Sequence, residues 1–311
     1  MTLGRLRKLL LVITLLAVFF LSLRSLKVDQ LAYAVQSLGP LLLAGLALLL
    51  FATRLFQALL LRLSLRKSGS PPLSLGQCLD LVASKGLFLQ VAGGGAVVAQ
   101  GWIARDRLGI RVGDFANAAF WRIHAQLASL LMLAPLPFLA WHGGSWQAIT
   151  GWLFVAGLIM LMLATAWLVR DWPRWRQFLL RRLPAVSPQL DALPGQMVTP
   201  GVVGWLGYLL LSFLIVALRF ARLCLIAAVV APEIPALLLA KAFVLAEVTV
   251  ILPLTPGGLG VRELALAAGG GLQNAFDTLL LIALLDLALV LLFNLAHGAI
   301  AQARLFGSTR D

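Results

Sequence analysis

Apolar runs long enough to cross a bilayer recur along almost the whole chain, and the polar residues between them gather into short basic clusters. A membrane-spanning helix needs about 20 predominantly apolar residues. Such runs occupy about Leu41–Leu61, Phe115–Ala140, Trp146–Val169, Gly201–Ala231 and Phe276–Ile300. A shorter one, Leu9 to Leu23, follows Arg5, Arg7 and Lys8 and has the look of a signal peptide, with Ala32-Tyr33-Ala34 as a cleavage-like pattern. Arg24, Lys27 and Asp29 separate the run from that pattern, which favours an uncleaved span.

Two further stretches, Leu75–Ala104 and Ala236–Leu272, are apolar but broken in the middle by glycine. Each is read as a helical hairpin, either re-entrant or two broken spans. The pattern therefore predicts an all-α polytopic membrane protein of about six full spans plus two broken hairpins. Residues 1–145 and 146–311 each follow the order span, span, hairpin, span, within a single membrane domain.

Charge orients these elements. Cytoplasmic loops of membrane proteins carry an excess of Lys and Arg. Placing the N-terminus, Arg62–Lys67, Arg105–Arg111, Arg170–Arg182 and the C-terminus inside puts sixteen basic residues there, against Arg24 and Lys27 outside. The first half then enters from the cytoplasm and the second from the outside, so the halves form an inverted repeat, as in many secondary transporters. A gapless offset of 162 residues sets Gly95 on Gly257, Lys85 on Glu247 and His124 on Asp286. Among the basic residues of 170–182, Trp172 and Trp175 suggest an amphipathic segment lying on the lipid surface.

Composition agrees. The 311 residues are 61% hydrophobic and 12% charged, with a mean hydropathy of +0.97. The net charge of +13 would suggest nucleic acid in a soluble protein. Here the positive-inside bias accounts for it, and no nucleic-acid partner is expected. Cys78 and Cys224 give neither a disulfide framework nor a metal spacing.

The second hairpin carries the sharpest signal: Leu254-Thr255-Pro256-Gly257-Gly258-Leu259-Gly260-Val261-Arg262-Glu263. Proline removes a backbone donor and glycine weakens a helix by about 1 kcal/mol relative to alanine, so the helix must break here. Broken backbone survives at membrane depth only where protein or a water-filled cavity satisfies it. The expected breaks are Pro256, Gly257, Gly258 and Gly260, with Gly93, Gly94 and Gly95 in the first hairpin.

Twelve ionisable residues lie in or near the apolar segments. Each would cost roughly 3 kcal/mol if it faced lipid at the bilayer centre, so the central ones must face protein or water. The bases are Arg54, Lys85, Arg122, Arg219, Arg222, Lys241 and Arg262; the acids are Asp80, Glu247, Glu263, Asp277 and Asp286. Arg54, Asp80 and Asp277 could instead reach an interface. The excess of bases suits an anionic head group such as a lipid phosphate. Arg262, Glu263, Arg219, Arg222, Lys85, Glu247, Asp286 and Arg122 are the candidate substrate-binding residues. Arg219 and Arg222, three apart on one helix face, would form a phosphate clamp. The competing reading is internal ion pairing of the arginines with Asp286, Glu247 and Glu263.

Catalytic patterns are lacking: His124, His142 and His297 are scattered, and HExxH, CxxC and GxSxG do not occur. His124 reads as a hydrogen-bonded core residue. No cofactor and no metal is expected. Without an ATP-binding motif, transport would couple to an ion gradient or to none.

The Leu254–Glu263 motif resembles the signature of the lysylphosphatidylglycerol synthase transmembrane-region family, and the hydrophobic pattern is similar over most of the chain. That resemblance implies a bacterial cytoplasmic-membrane protein that moves an anionic or charged lipid or glycolipid between leaflets, while the count of basic residues sets both termini in the cytoplasm. The family includes bifunctional synthase/flippases whose soluble synthase portion has no counterpart here, so the chain is not expected to be an enzyme. The first hairpin lacks the proline-containing break expected of the family's first half. Alternatives are a membrane scaffold for a separate lipid synthase or glycosyltransferase, or a membrane-embedded head-group enzyme.

Overall fold

The computed structural model describes residues 36, 38–92, 95–139, 145–182, 197–251, 261–269 and 275–307. The described residues form helices and no strand, as the apolar pattern requires of an all-α polytopic membrane protein. In order they are α1 (Pro40–Lys67), α2 (Leu75–Ala92), α3 (Gly95–Leu108), α4 (Val112–Leu133), α5 (Pro135–Leu139), α6 (Ser145–Arg170), α7 (Trp172–Arg182), α8 (Gly201–Val230), α9 (Ala236–Ile251), α10 (Val261–Ala268) and α11 (Phe276–Gly307). Five stretches are long and apolar enough to cross a membrane: α1, α4 with α5, Ile149–Arg170 of α6, α8 and α11. The expected span at Leu9–Leu23 lies outside the described residues.

Local chemistry sets several of these boundaries. α1 begins on Pro40, whose missing N–H costs nothing in a first helical turn. It closes with Arg66 and Lys67 beside the partial negative charge of the helix C-terminus, and Gly69 then takes a positive φ of 83°. α11 outruns the expected Ile300 and continues to Gly307. The basic segment after α6 is helical: α7 stacks Trp175 edge-on against Trp167 of α6 and Phe178, with ring centroids 5.1 and 5.9 Å apart.

Both expected hairpins are bracketed by helices that pack on each other. α2 stops at Ala92 and α3 starts at Gly95; α9 stops at Ile251 and α10 starts at Val261. Of the expected breaks, Gly93, Gly94, Pro256, Gly257, Gly258 and Gly260 lie outside the described residues, while Gly95 opens α3. The α9–α10 pair is close: a Cβ on Gly269, just past α10, would fall 2.5 Å from Ala242 Cα. Only glycine fits there.

The largest core cluster unites α8, α9, α10 and α11 with Leu46 of α1. A second joins the end of α1 to α2, α3 and α4, with Leu305 of α11. α1 lies along α8, and α2 lies along α11. Elements from the N- and C-terminal parts of the chain therefore interleave. α6 stands at the periphery: no residue of its most apolar window is buried, as lipid contact demands.

Candidate functional site

Between α1, α2, α8, α9, α10 and α11 lies a cavity of about 170 Å³, into which Arg54, Lys85, Arg219, Arg222, Glu247, Arg262 and Glu263 project. A smaller one, about 70 Å³, adjoins it and is lined by Arg122 and Gln126 of α4. Gln57, Lys85 and Arg219 line both, so the two form one polar region at the centre of the helix bundle.

Its first part is a closed ion-pair network. The Arg222 guanidinium donates to both oxygens of Asp286, Nε to Oδ1 at 2.5 Å and Nη2 to Oδ2 at 3.1 Å. Arg262 Nη2 reaches the same Oδ2 at 3.0 Å, and also stands 3.7 Å from Glu247 and 3.6 Å from Glu263. Arg219 donates to Glu247 at 2.7 Å. Asp286 is fully buried, and Glu247 and Glu263 nearly so. Such burial is tolerable because each carboxylate meets a guanidinium, and the Arg222–Asp286 fork is the strong two-bond geometry.

The second part is uncompensated. Arg54, Lys85 and Arg122 make no ion pair with a carboxylate among the described residues. Arg54 is held by neutral oxygens instead, donating to Gln57 Oε1 at 3.0 Å and to Asn294 Oδ1. Gly86 makes room for this: a Cβ there would meet Arg54 Nη2 at 2.7 Å and Asn294 Oδ1 at 3.0 Å. Arg122 is buried, its Nε lacks a hydrogen-bond partner, and its guanidinium stands 5.8 Å from the Phe115 ring. Lys85 projects between them into both cavities. Six bases thus face three carboxylates.

All eight candidate residues from the sequence come together here, but in two roles. Arg219 and Arg222 do not form a shared clamp: each takes a different carboxylate, because residues three apart on a helix diverge enough to meet α9 and α11 separately. Arg262 is likewise engaged by acids. Lys85 and Arg122 remain without an acidic partner. Lys85 and Glu247, matched by the 162-residue offset, do line one cavity. His124, matched to Asp286, lines neither cavity and accepts from Trp205 Nε1 at 3.5 Å, beside Phe120 and Trp121.

The sequence leaves Arg54 open between an interface and the interior; the structure sets it in the cavity wall with Gln57 and Asn294. A signal existed. Asn294 follows Asp286 by eight residues, about two helical turns, and so shares its face of α11. Among the described residues no group of three or more His, Cys, Asp or Glu could hold a metal ion.

A bundle of membrane-length helices enclosing a cationic cavity defines an integral membrane protein with an intramembrane polar site. Its lineage is equally definite: the chain belongs to the lysylphosphatidylglycerol synthase TM region family, whose model matches residues 8–298. That family ties it to membrane lipid synthesis or lipid flipping. No curated protein and no solved structure matches it.

Proposed function

We propose that the protein is a flippase-like transporter, with no catalytic step of its own, that carries an anionic lipid head group through the bilayer by way of the cationic cavity. The observation that carries this reading is the trio Arg54, Lys85 and Arg122, three cations inside a membrane protein that make no ion pair with a carboxylate among the described residues. Charge at bilayer depth is costly unless paired or hydrated, so a site that leaves three cations unneutralised is matched to a ligand that brings negative charge. A lipid phosphate does so, and its oxygens accept from guanidinium and ammonium donors alike. The ion-pair network would then hold α8, α9, α10 and α11 in register around that site. Family membership and the inverted placement of the two hairpins support transport over scaffolding for a synthase.

This reading puts the protein in the bacterial cytoplasmic membrane with both termini in the cytoplasm, on the excess of Lys and Arg in the loops assigned to that side. An impermeant thiol reagent applied to intact cells should then label Glu233→Cys and spare Arg174→Cys; the reverse pattern would overturn the orientation. Function is tested in liposomes containing the full chain and fluorescent phosphatidylglycerol or phosphatidylcholine. Faster leaflet exchange of the anionic lipid is expected. Equal rates for both lipids, or none above empty liposomes, would reject the reading.

A further inference from the structure

A third cavity, about 380 Å³, lies beside the charged one and is almost wholly apolar. Its walls are Leu130 and Leu133 of α4, Leu136 and Pro137 of α5, Val216, Ala217 and Phe220 of α8, and Ala240, Phe243 and Val244 of α9. Its floor is closed by buried Leu130, Phe243 and Val244, with the Phe220 and Phe243 rings 5.3 Å apart. It opens outward past Leu136, which is 60% exposed, and past exposed Ala217. The small side chains of Ala217 and Ala240 keep the groove from filling.

Three helices carry this groove into the polar region. On α9, Ala240, Val244 and Glu247 follow one another at helical spacing, so a single face changes from apolar to acidic. On α4, Gln126 lines the smaller polar cavity, and Leu130 and Leu133, on the next turns of the same face, line the groove. On α8, Arg219 lies within one turn of Val216 and Phe220. The Arg219–Glu247 bridge therefore stands where the groove meets the cations.

We propose that this groove is the tail site of the transported lipid: one hydrocarbon chain of an anionic lipid lies along α8 and α9 while its phosphate occupies the space before Arg219, Lys85 and Arg122. The inference rests on the proposed function and adds the ligand's second half, an amphiphile with a long tail rather than a free phosphate. A groove open to the bilayer would fill with any lipid chain. Its continuity with uncompensated cations is what selects an anionic one. Each methylene buried there in place of water contributes about 0.8 kcal/mol, but relative to the bilayer it contributes almost nothing, so selectivity must come from the head group. The tail site instead fixes where the phosphate can sit.

The test uses the full chain in liposomes with phosphatidylglycerol bearing a photoreactive diazirine in mid-chain, and phosphatidylcholine bearing the same chain. The expected adducts fall on peptides containing Leu130–Pro137 and Leu237–Val244, several-fold more abundant from the anionic lipid. Ala240→Phe, or Ala217→Phe from the facing wall, should suppress them while the protein still melts as the wild type does. Equal yields from the two lipids would show a groove filled by bulk lipid and overturn the inference; so would no adducts from phosphatidylglycerol. The parent reading fails separately: anion-selective adducts that persist unchanged in Lys85→Gln would keep the tail site and reject the cationic cavity as the head-group site.

Discussion

Asp286 is the residue on which the charged network turns. It accepts from Arg222 and Arg262 at once and is fully buried, so its removal leaves two guanidiniums competing for Glu247 and Glu263. Breaking a buried pair by deleting one partner costs about 3–5 kcal/mol. Asp286→Ala should therefore lower the detergent melting temperature sharply, whereas Asp286→Asn, which keeps acceptor and shape, should lose less. Equal melting of Asp286→Ala and wild type would show that the network adds no stability. Gly86 makes the opposite case. A methyl there meets the far end of the flexible Arg54 side chain, which can move, and alanine favours a helix over glycine by about 1 kcal/mol. Gly86→Ala should melt no lower than the wild type yet transport anionic lipid more slowly, because Arg54 is displaced from Asn294. Unchanged transport would mean that the position of Arg54 is immaterial.

At the scale of elements, the sequence determines the spans and the membership of the site better than the pairing within it. Runs of leucine, valine and alanine announce α1, α4, α6, α8 and α11, since a helix in lipid is apolar all round. The aromatic and basic alternation after Arg170 announces α7 equally well. Arg54 could not be placed because its depth depends on how far α1 slides along α8, a tertiary quantity. Nor could the ion pairs be assigned: three acids and three arginines in the network permit several matchings, and helix packing chooses among them. The apolar groove left no trace at all, because leucines facing it read like leucines facing lipid. Close packing of α2 on α11 fixes Lys85 opposite the cations of α8, and Gly298 permits it, since a Cβ there would stand 2.9 Å from Leu87 Cβ. That atom cannot swing aside. Gly298→Ala should destabilise by about 1–3 kcal/mol, the usual effect of overpacking; a melting curve unshifted from wild type would show that the two helices are free to part.

For the whole molecule, stability and function are assigned to different charges within one polar region. The arginines bound to carboxylates hold the bundle together. Half-buried Lys85 and buried Arg122 should lower stability, since a cation withdrawn from water without an anion is unfavourable, and such strain persists where function requires it. The most direct test is to remove Lys85's charge and read both properties. Lys85→Gln should melt at or above the wild-type temperature, yet lose about ten-fold or more in the rate of phosphatidylglycerol exchange in liposomes, the equivalent of about 1.5–3 kcal/mol for one charge-assisted hydrogen bond. A Lys85→Gln protein that folds and exchanges phosphatidylglycerol at the wild-type rate would contradict the account.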